Sequence, residues 1–163
     1  MLSRSKTLIA LPGRRKLMVF EAFAMLLWGW FVVRCIGFRR YAKYLGTATS
    51  GEFVDLTSQD QDYLRTLRWS ITSVNRLFGS RFNCLIQGIA AKTMLNRRGI
   101  SNTLVLGTKV SPNVAGSEHY QFEAHAWLWA GQTIMLGGES RHEYNPMTSY
   151  YSSCDDRDAC ANS

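Results

Sequence analysis

The apolar positions of residues 58–78 recur at the spacing of an amphipathic helix. They are Leu64, Leu67, Ile71, Val74 and Phe78. Because these positions fall on one side of a helix with 3.6 residues per turn, they predict a packed face. Ser58 followed by Gln61 has the pattern of a capping box, and Gly79 is suited to end the helix. We therefore expect one helix in this segment.

A second helix is predicted from Cys84 to Arg98. Asn83 is a favourable N-cap residue, and Gly99 is a typical stop. Between them lies an apolar stripe made of Leu85, Ile89 and Leu95 with the small residues Ala90 and Ala91. This pattern predicts a helix that packs closely against its neighbours.

Three strand-like runs follow this helix. They are NTLVLGTKV at 102–110, YQFEAHAWLWA at 120–130 and TIML at 133–136. A loop is expected over 111–119 and a turn at Gly131 and Gln132. In the second run, alternation places Phe122, Ala124, Ala126 and Leu128 on one face, and His125, Trp127 and Trp129 on the other. The order helix, helix, strand, strand, strand predicts an α+β fold with a small antiparallel sheet.

An apolar segment precedes these elements. Residues 15–45 predict a helix that is apolar nearly all round, which implies burial on several sides. Within residues 17–38, Glu21 and Arg34 leave only twelve uncharged residues between them, too few to cross a bilayer. A helix that is buried or covered by a partner, and that touches a membrane surface, is favoured over a spanning helix or a signal peptide.

Positive charge is concentrated at the start of the chain. Residues 1–50 hold nine Lys or Arg and one acid, a net +8, whereas residues 51–163 hold ten Lys or Arg and eleven acids, a net −1. This distribution argues against nucleic-acid binding by the main domain and suits a membrane surface or a partner protein. The four cysteines are irregularly spaced, which indicates a cytoplasmic protein rather than a disulfide framework. We expect an N-terminal helical segment (1–50), a core (51–139) and a polar, irregular tail (140–163).

Cys84 and His125 form a candidate catalytic pair. A cap at Asn83 puts Cys84 in the first turn of a helix, where unpaired N–H groups favour a thiolate and can receive charge on a substrate oxygen. His125 lies inside an ordered strand and could supply the base, whereas His119 is in a loop and His142 follows the last strand. A buried structural thiol and a structural histidine remain alternatives at this point.

Other conspicuous residues have mainly structural explanations. Trp127 and Trp129 either wall a cleft or cover the helix. Arg97 and Arg98 suit a solvated helix end. The stretch CDDRDAC, residues 154–160, lies in the polar tail without a second cluster of ligands, so neither a metal nor a cofactor is expected.

Residues 17–139 resemble the B2-type proteins of lasso peptide biosynthesis, which are small transglutaminase-like cysteine proteases. The resemblance rests on FNCLIQGIAAKTMLNRRGISNTLVLG at 82–107, on FEAHAWLW at 122–129, and on Phe-Arg-Arg at 38–40 after an apolar helix. It implies a transglutaminase-like, papain-like core. In such a core, the helix that opens with Cys84 packs on the sheet, and the catalytic residues follow the chain order Cys, His, Asp.

The resemblance also implies a function. Cys84 would attack a leader-peptide amide of a ribosomally made precursor, and His125 would protonate the leaving amine. An asparagine-synthetase-like lasso cyclase would then close the ring. Because the B2 form lacks a leader-recognition domain, a separate leader-binding B1 protein is the expected partner. The alternatives are a non-catalytic transglutaminase-like interaction module, and an acyltransferase that joins glutamine side chains to amines.

The third catalytic residue departs from the family pattern. An aspartate is usual on the strand after the histidine, but counting across the turn pairs His125 with Gly137 or Gly138. Glu139 would lie diagonally from His125 on the same face and is the candidate orienting carboxylate, with Glu123 in reserve. The alternative is a Cys–His dyad oriented by a backbone carbonyl or by another side chain.

Overall fold

The computed structural model describes residues 13–46, 56–112 and 120–153. The helices are α1 (Gly13–Phe31), α2 (Phe38–Tyr41), α3 (Ser58–Leu77) and α4 (Cys84–Arg98), and the strands are β1 (Asn102–Pro112), β2 (Tyr120–Ala130), β3 (Thr133–Leu136) and β4 (Asn145–Ser152). The predicted α+β class with an antiparallel sheet is confirmed. Most of the predicted loop at 111–119, with His119, and the stretch CDDRDAC lie outside the described residues.

Helix α4 begins and ends as its flanking residues predict. The side-chain oxygen of Asn83 accepts a hydrogen bond from the N–H of Ile86 at 2.9 Å. This contact satisfies one of the donors that a helix start leaves unpaired. Gly99 takes a φ of 68°, a left-handed conformation that glycine adopts at little cost. The predicted range of this helix is confirmed.

Helix α3 begins with a different cap from the predicted one. The hydroxyl oxygen of Thr57 accepts a hydrogen bond from the N–H of Asp60, and the carboxylate of Asp60 accepts one from the N–H of Thr57, both at 3.2 Å. The predicted capping box of Ser58 and Gln61 is therefore wrong by one position. An aspartate can reach back to the cap, and its charge complements the positive end of the helix dipole.

The sheet has the strand order β3-β2-β1-β4, and neighbouring strands are antiparallel. β4 pairs with the edge of β1 that β2 leaves free. The expectation of an irregular tail after residue 139 is therefore wrong for Asn145–Ser152. This strand lies at the edge of the sheet and is only partly buried, so it lacks the apolar alternation that marks a strand in a sequence. The domain boundaries at residues 50 and 139 stay a prediction.

Helix α4 lies at the centre of the core, between the sheet and α1. A Cβ at Gly88 would lie 2.7 Å from the side chain of Leu104 in β1, and a Cβ at Gly29 of α1 would lie 3.1 Å from the carbonyl oxygen of Ile86. Glycines therefore allow close approach on both sides of α4. The buried residues of α4 are Ile86, Gly88, Ile89, Ala90, Ala91, Lys92, Met94 and Leu95.

Helix α1 is buried on one side only. Met18, Ala22 and Leu26 belong to the core, whereas Leu17 and Phe20 are 69% and 70% exposed. The prediction of burial on several sides is therefore wrong. The predicted single helix over 15–45 is also interrupted, because α1 runs into a π-helical turn (Val32–Ile36) and Gly37, with a φ of 80°, separates it from α2.

The arginines at the end of α4 contact neighbouring helices. Arg97 forms an ion pair with Glu21 of α1 at 2.9 Å, and the guanidinium of Arg98 lies 4.8 Å from the ring centre of Tyr63 in α3. Both arginines are exposed, as a solvated helix end predicts. Exposed pairs of this kind stabilise a fold only slightly.

The ammonium group of Lys92 is buried among neutral acceptors. Its Nζ donates hydrogen bonds to Oδ1 of Asn102 at 2.9 Å and to the carbonyl oxygen of Tyr150 at 3.0 Å. Burial lowers the pKa of Lys92 to about 7. Asn102 in turn donates to Asn96 at 2.7 Å. The network therefore ties α4 to both β1 and β4.

We expect the protein to become more stable between pH 7 and pH 9. In this range the unfolded chain keeps the proton of Lys92, whose ordinary pKa is 10.5, while the folded protein releases it. Because the unfolded state then binds more protons, the free energy of unfolding rises with pH, by up to ~1.4 kcal/mol per pH unit from this group. Urea unfolding at pH 7, 8 and 9 measures the rise. An equal rise in Lys92→Met would contradict the assignment.

Candidate active site

Cys84 is the first residue of α4, and its half-buried thiol is free. The N–H groups of the first helical turn have no acceptor within the helix. The side chain of Asn83 accepts a hydrogen bond from only one of them, the N–H of Ile86. The N–H groups of Cys84 and Leu85 therefore remain beside the thiol. This arrangement offers donors to a substrate carbonyl oxygen.

The loop before Cys84 is anchored by two side-chain amides that the sequence analysis missed. Oδ1 of Asn75, on α3, accepts a buried hydrogen bond from the N–H of Phe82 at 3.0 Å. Nε2 of Gln87 donates to the carbonyl oxygen of Phe82 at 2.8 Å. The backbone before the thiol is thus held from both sides. A polar residue on the buried side of a helix, such as Asn75, is the signal that could have revealed this anchor.

His125 lies on β2, and its ring is held by three neighbours. Its Nε2 is 2.8 Å from the carbonyl oxygen of Gly137. The ring stacks against Trp127, with centroids 6.1 Å apart, and makes a tilted contact with Tyr144, with centroids 4.9 Å apart. Because a carbonyl oxygen only accepts, Nε2 carries the proton, and Nδ1 of the neutral ring keeps a free lone pair. In this tautomer, Nδ1 is the ring atom that can act as a base.

Gly137 stands where the family resemblance led us to expect an aspartate. Its φ is 71°, and an added Cβ would collide with the carbonyl oxygen of Ala126. This backbone has no room for a side chain. The carbonyl oxygen of Gly137 itself accepts the hydrogen bond from His125, which matches the alternative of orientation by a backbone carbonyl.

The predicted pairing across from His125 is wrong. The hairpin has a two-residue turn, since Ala130 pairs with Thr133, but the register shifts by one so that Leu128 pairs with Leu136. Strand β3 ends there. The two glycines that follow are therefore not ladder partners of His125, and the counting rule that assumed a regular hairpin fails at this bulge.

The two carboxylates considered for orienting His125 are placed differently. Glu139 is exposed and, within the described part of the chain, forms no hydrogen bond with His125, so its role stays a prediction. Glu123 accepts a hydrogen bond from the hydroxyl of Tyr144 at 3.2 Å. Burial and then this hydrogen bond raise the pKa of Tyr144, which keeps the hydroxyl protonated at neutral pH. Glu123 thus contacts Tyr144, whose ring lies against the imidazole of His125.

Trp127 and Trp129 share the sheet face of His125, as predicted. Trp127 is 5% exposed and lies over Gly107, where a Cβ would be 2.8 Å from its ring. The guanidinium of Arg141 lies 5.3 Å from the ring centre of Trp129. Since α4 packs on the other face of the sheet, the alternative that these tryptophans cover the helix is wrong.

The structure does not join Cys84 to His125 directly. No hydrogen bond links the thiol to the imidazole among the described residues, and side-chain alternation along β2 turns His125 away from the face that α4 covers. The pair is therefore not preassembled in this structure.

The start of α4 and His125 nevertheless lie near the same end of the sheet. Two contacts show how α4 runs along β1. Lys92 contacts Asn102 and, one turn closer to the start of the helix, Gly88 contacts Leu104. One helical turn advances ~5.4 Å, about the length of two strand residues. The next turn, which holds Cys84, therefore comes level with Leu106, and the strand partner of Leu106 is Ala126, adjacent to His125.

Comparison with known proteins identifies a family. A family model described as the transglutaminase-like superfamily matches residues 30–149, a range that includes α3, α4 and nearly the whole sheet. No curated protein and no solved structure is significantly similar to the chain. The matched residues include Cys84, His125 and the carbonyl partner Gly137. The chain therefore belongs to the transglutaminase-like superfamily.

Proposed function

We propose that the protein is a cysteine peptidase that removes the leader peptide from a ribosomally synthesised lasso peptide precursor before macrocyclisation. The superfamily is consistent with a cysteine peptidase or an acyltransferase. The observation that carries the proposal is the position of Cys84 at a capped helix start, with His125 in the same domain held by a carbonyl oxygen. The lasso peptide assignment rests on the sequence resemblance around these two residues.

The proposed reaction proceeds through a thioester. The thiolate of Cys84 attacks the carbonyl carbon of the amide at the end of the leader, and nearby N–H groups receive the negative charge on oxygen. As the C–N bond breaks, protonated His125 gives its Nδ1 proton to the leaving amine, which starts the core peptide. His125 then takes a proton from water, and the resulting hydroxide hydrolyses the thioester, which frees the leader as a carboxylate.

The proposed partners follow from the same resemblance. A separate leader-binding B1 protein would present the precursor, as the resemblance to the B2 form implies. The amine freed by cleavage would be the substrate of the asparagine-synthetase-like cyclase. A cytoplasmic reaction fits this sequence of steps, and the net charge of −1 over residues 51–163 gives no reason to propose a nucleic-acid partner.

Mass spectrometry of a precursor incubated with the protein and the leader-binding protein tests this proposal. Hydrolysis into leader and core is the expected result. An unchanged precursor would overturn it in favour of a non-catalytic module, an alternative favoured by the lack of a Cys84–His125 hydrogen bond. An intact chain that has lost the mass of one ammonia would indicate acyl transfer from a glutamine instead.

Tyr144→Phe is expected to lower kcat by ~2- to 10-fold and to leave KM nearly unchanged. The substitution keeps the ring that lies against His125 but removes the hydrogen bond of its hydroxyl to Glu123. Tyr144→Ala should lower kcat further, since it also removes the stacking surface. Steady-state cleavage kinetics measure both. If Tyr144→Phe changed KM alone, Tyr144 would belong to a substrate-binding surface rather than to the support of the imidazole.

A further inference from the structure

Helix α1 presents an apolar face that no described residue covers. We call it the α1 stripe; it consists of Leu17, Phe20, Leu27, Trp28 and Phe31. Their exposed fractions run from 43% to 70%, and their spacing places them on one side of the helix. The opposite side, with Met18, Ala22 and Leu26, is fixed in the core. The stripe therefore faces away from the domain along the length of α1.

The stripe continues onto α3 through a groove. The groove has a volume of about 330 Å³ and is lined by Lys16, Val19, Phe20, Phe23, Val74, Leu77 and Phe78. Leu77 and Phe78 are themselves 51% and 43% exposed. Apolar surface of this extent is uncommon on a soluble monomer and marks a docking site.

Most charges around the stripe are positive, although the exposed carboxylate of Asp62 on α3 lines a pocket together with Arg15 and Leu17. Arg15 and Lys16 lie at its start, and Arg34, Arg39 and Arg40 lie beyond its end, all of them exposed. Glu21 is the only acidic residue among the described residues 13–46, and its carboxylate forms an ion pair with Arg97. An apolar face with more cations than anions around it complements an acidic surface.

The flanks of the stripe favour a lipid surface over a partner helix. A helix that joins another through a coiled-coil seam carries charged residues beside the seam to select its partner. Here Trp28 lies at the edge of the stripe itself and Trp30 on a flank, with exposed fractions of 43% and 47%. Tryptophan, apolar with one polar N–H, is the residue that concentrates at the boundary between lipid headgroups and acyl chains.

The same helix could be taken for a membrane span. The segment Arg15–Ile36 has a mean hydropathy of 1.7 and only 22% of it is buried, so by length and mean hydropathy it resembles a membrane span, although Glu21 and Arg34 interrupt its apolar run. Its inner side, however, packs against α3 and α4. A helix held in this way lies along a membrane surface with one face immersed.

We propose that the α1 stripe docks the protein on the surface of an anionic lipid bilayer. The aromatic and aliphatic side chains enter the boundary below the headgroups, and the flanking basic residues contact lipid phosphates. The docked orientation follows from the fold, because the sheet lies on the far side of α4. This inference goes beyond the proposed peptidase function and does not depend on it.

Sedimentation of the full-length protein with vesicles tests the proposal. Binding is expected to vesicles with about one third phosphatidylglycerol, to weaken in high salt, and to be much weaker with pure phosphatidylcholine vesicles. The double variant Phe20→Gln/Trp28→Gln should bind at least ~10-fold more weakly, because two immersed aromatic side chains are lost. Arg39→Gln/Arg40→Gln should lose the preference for anionic lipid.

Phe122→Gln is the matched control, since Phe122 is an apolar side chain, 76% exposed, on the sheet. It should bind as the unaltered protein does, and circular dichroism should show every variant folded. No binding to anionic vesicles, or equal losses in the control and the stripe variant, would overturn the proposal. Light scattering that shows a dimer of the unaltered protein but a monomer of the stripe variant would also overturn it. So would a stripe variant that no longer binds the leader-binding protein, if the unaltered protein binds no vesicles.

Discussion

Cys84→Ala is expected to lower precursor cleavage by at least ~10³-fold while the protein stays folded. The substitution removes the sulfur that would form the thioester, and nothing else at the start of α4 can replace it. The side chain is half-buried and small, so its loss leaves little unfilled space. Mass spectrometry measures cleavage, and circular dichroism measures the fold. Cleavage at a near-normal rate would mean that the nucleophile lies elsewhere.

Cys35→Ala is the matched control for this substitution. Cys35 is also a free thiol, but it is exposed in the π-helical turn after α1 and distant in sequence from the site. Its replacement should leave cleavage unchanged. His125→Ala should be as inactive as Cys84→Ala, because loss of either member of a catalytic unit costs nearly as much as loss of both. Because the Cys35→Ala variant keeps Cys84, a thiol reagent should inactivate it as effectively as the unaltered protein.

Gly137→Asp is expected to destabilise the protein rather than restore the family's usual aspartate. The position has a φ of 71°, which costs a residue with a Cβ ~1–2 kcal/mol, and the new Cβ would collide with the carbonyl oxygen of Ala126. We expect a loss of at least ~2 kcal/mol, which lowers Tm by ~4–8 °C in a chain of this size. Cleavage should fall too, because the displaced carbonyl no longer holds His125. Thermal unfolding and cleavage rates measure the two effects.

Gly79→Asp separates the collision from the backbone strain. Gly79 has a similar φ of 66°, but a Cβ there would meet nothing within 4 Å. It should lower Tm less than Gly137→Asp does, and the difference reports the collision alone. If Gly137→Asp were as stable as the unaltered protein and cleaved faster, the strand end must rearrange to present a carboxylate, and the carbonyl would not be the native partner of His125.

The parts of the fold that could be predicted are those with local signals. Asn83 and Gly99 bound α4 correctly, because a cap and a left-handed stop act within one turn of the helix. The alternation around His125 also placed Trp127 on the correct face. At the start of α3, two adjacent hydroxyl residues competed for the cap, and the choice of Thr57 depended on the reach of Asp60, which spacing alone does not resolve.

The parts that could not be predicted depend on contacts between distant segments. The shift at Leu128 changed the residue opposite His125, and a bulge of this kind leaves no clear mark in the sequence. Tyr144 was overlooked because it stood in a segment taken for an irregular tail. The exposed side of α1 was mistaken for a buried one, since composition shows that a helix is apolar but not which of its sides meets the core.

The pairing of β4 with β1 determines how early during synthesis the sheet can finish folding. Ser152 donates a hydrogen bond to the carbonyl oxygen of Leu45 at 3.3 Å, so a late segment of the chain closes over an early one. A ribosome adds ~5–20 residues per second, so β1 waits several seconds for this partner. Until then Lys92 lacks its Tyr150 acceptor and His125 lacks Tyr144. A chain made only as far as β3 would thus carry the thiol without a finished site, which delays any cleavage until β4 has been synthesised and paired.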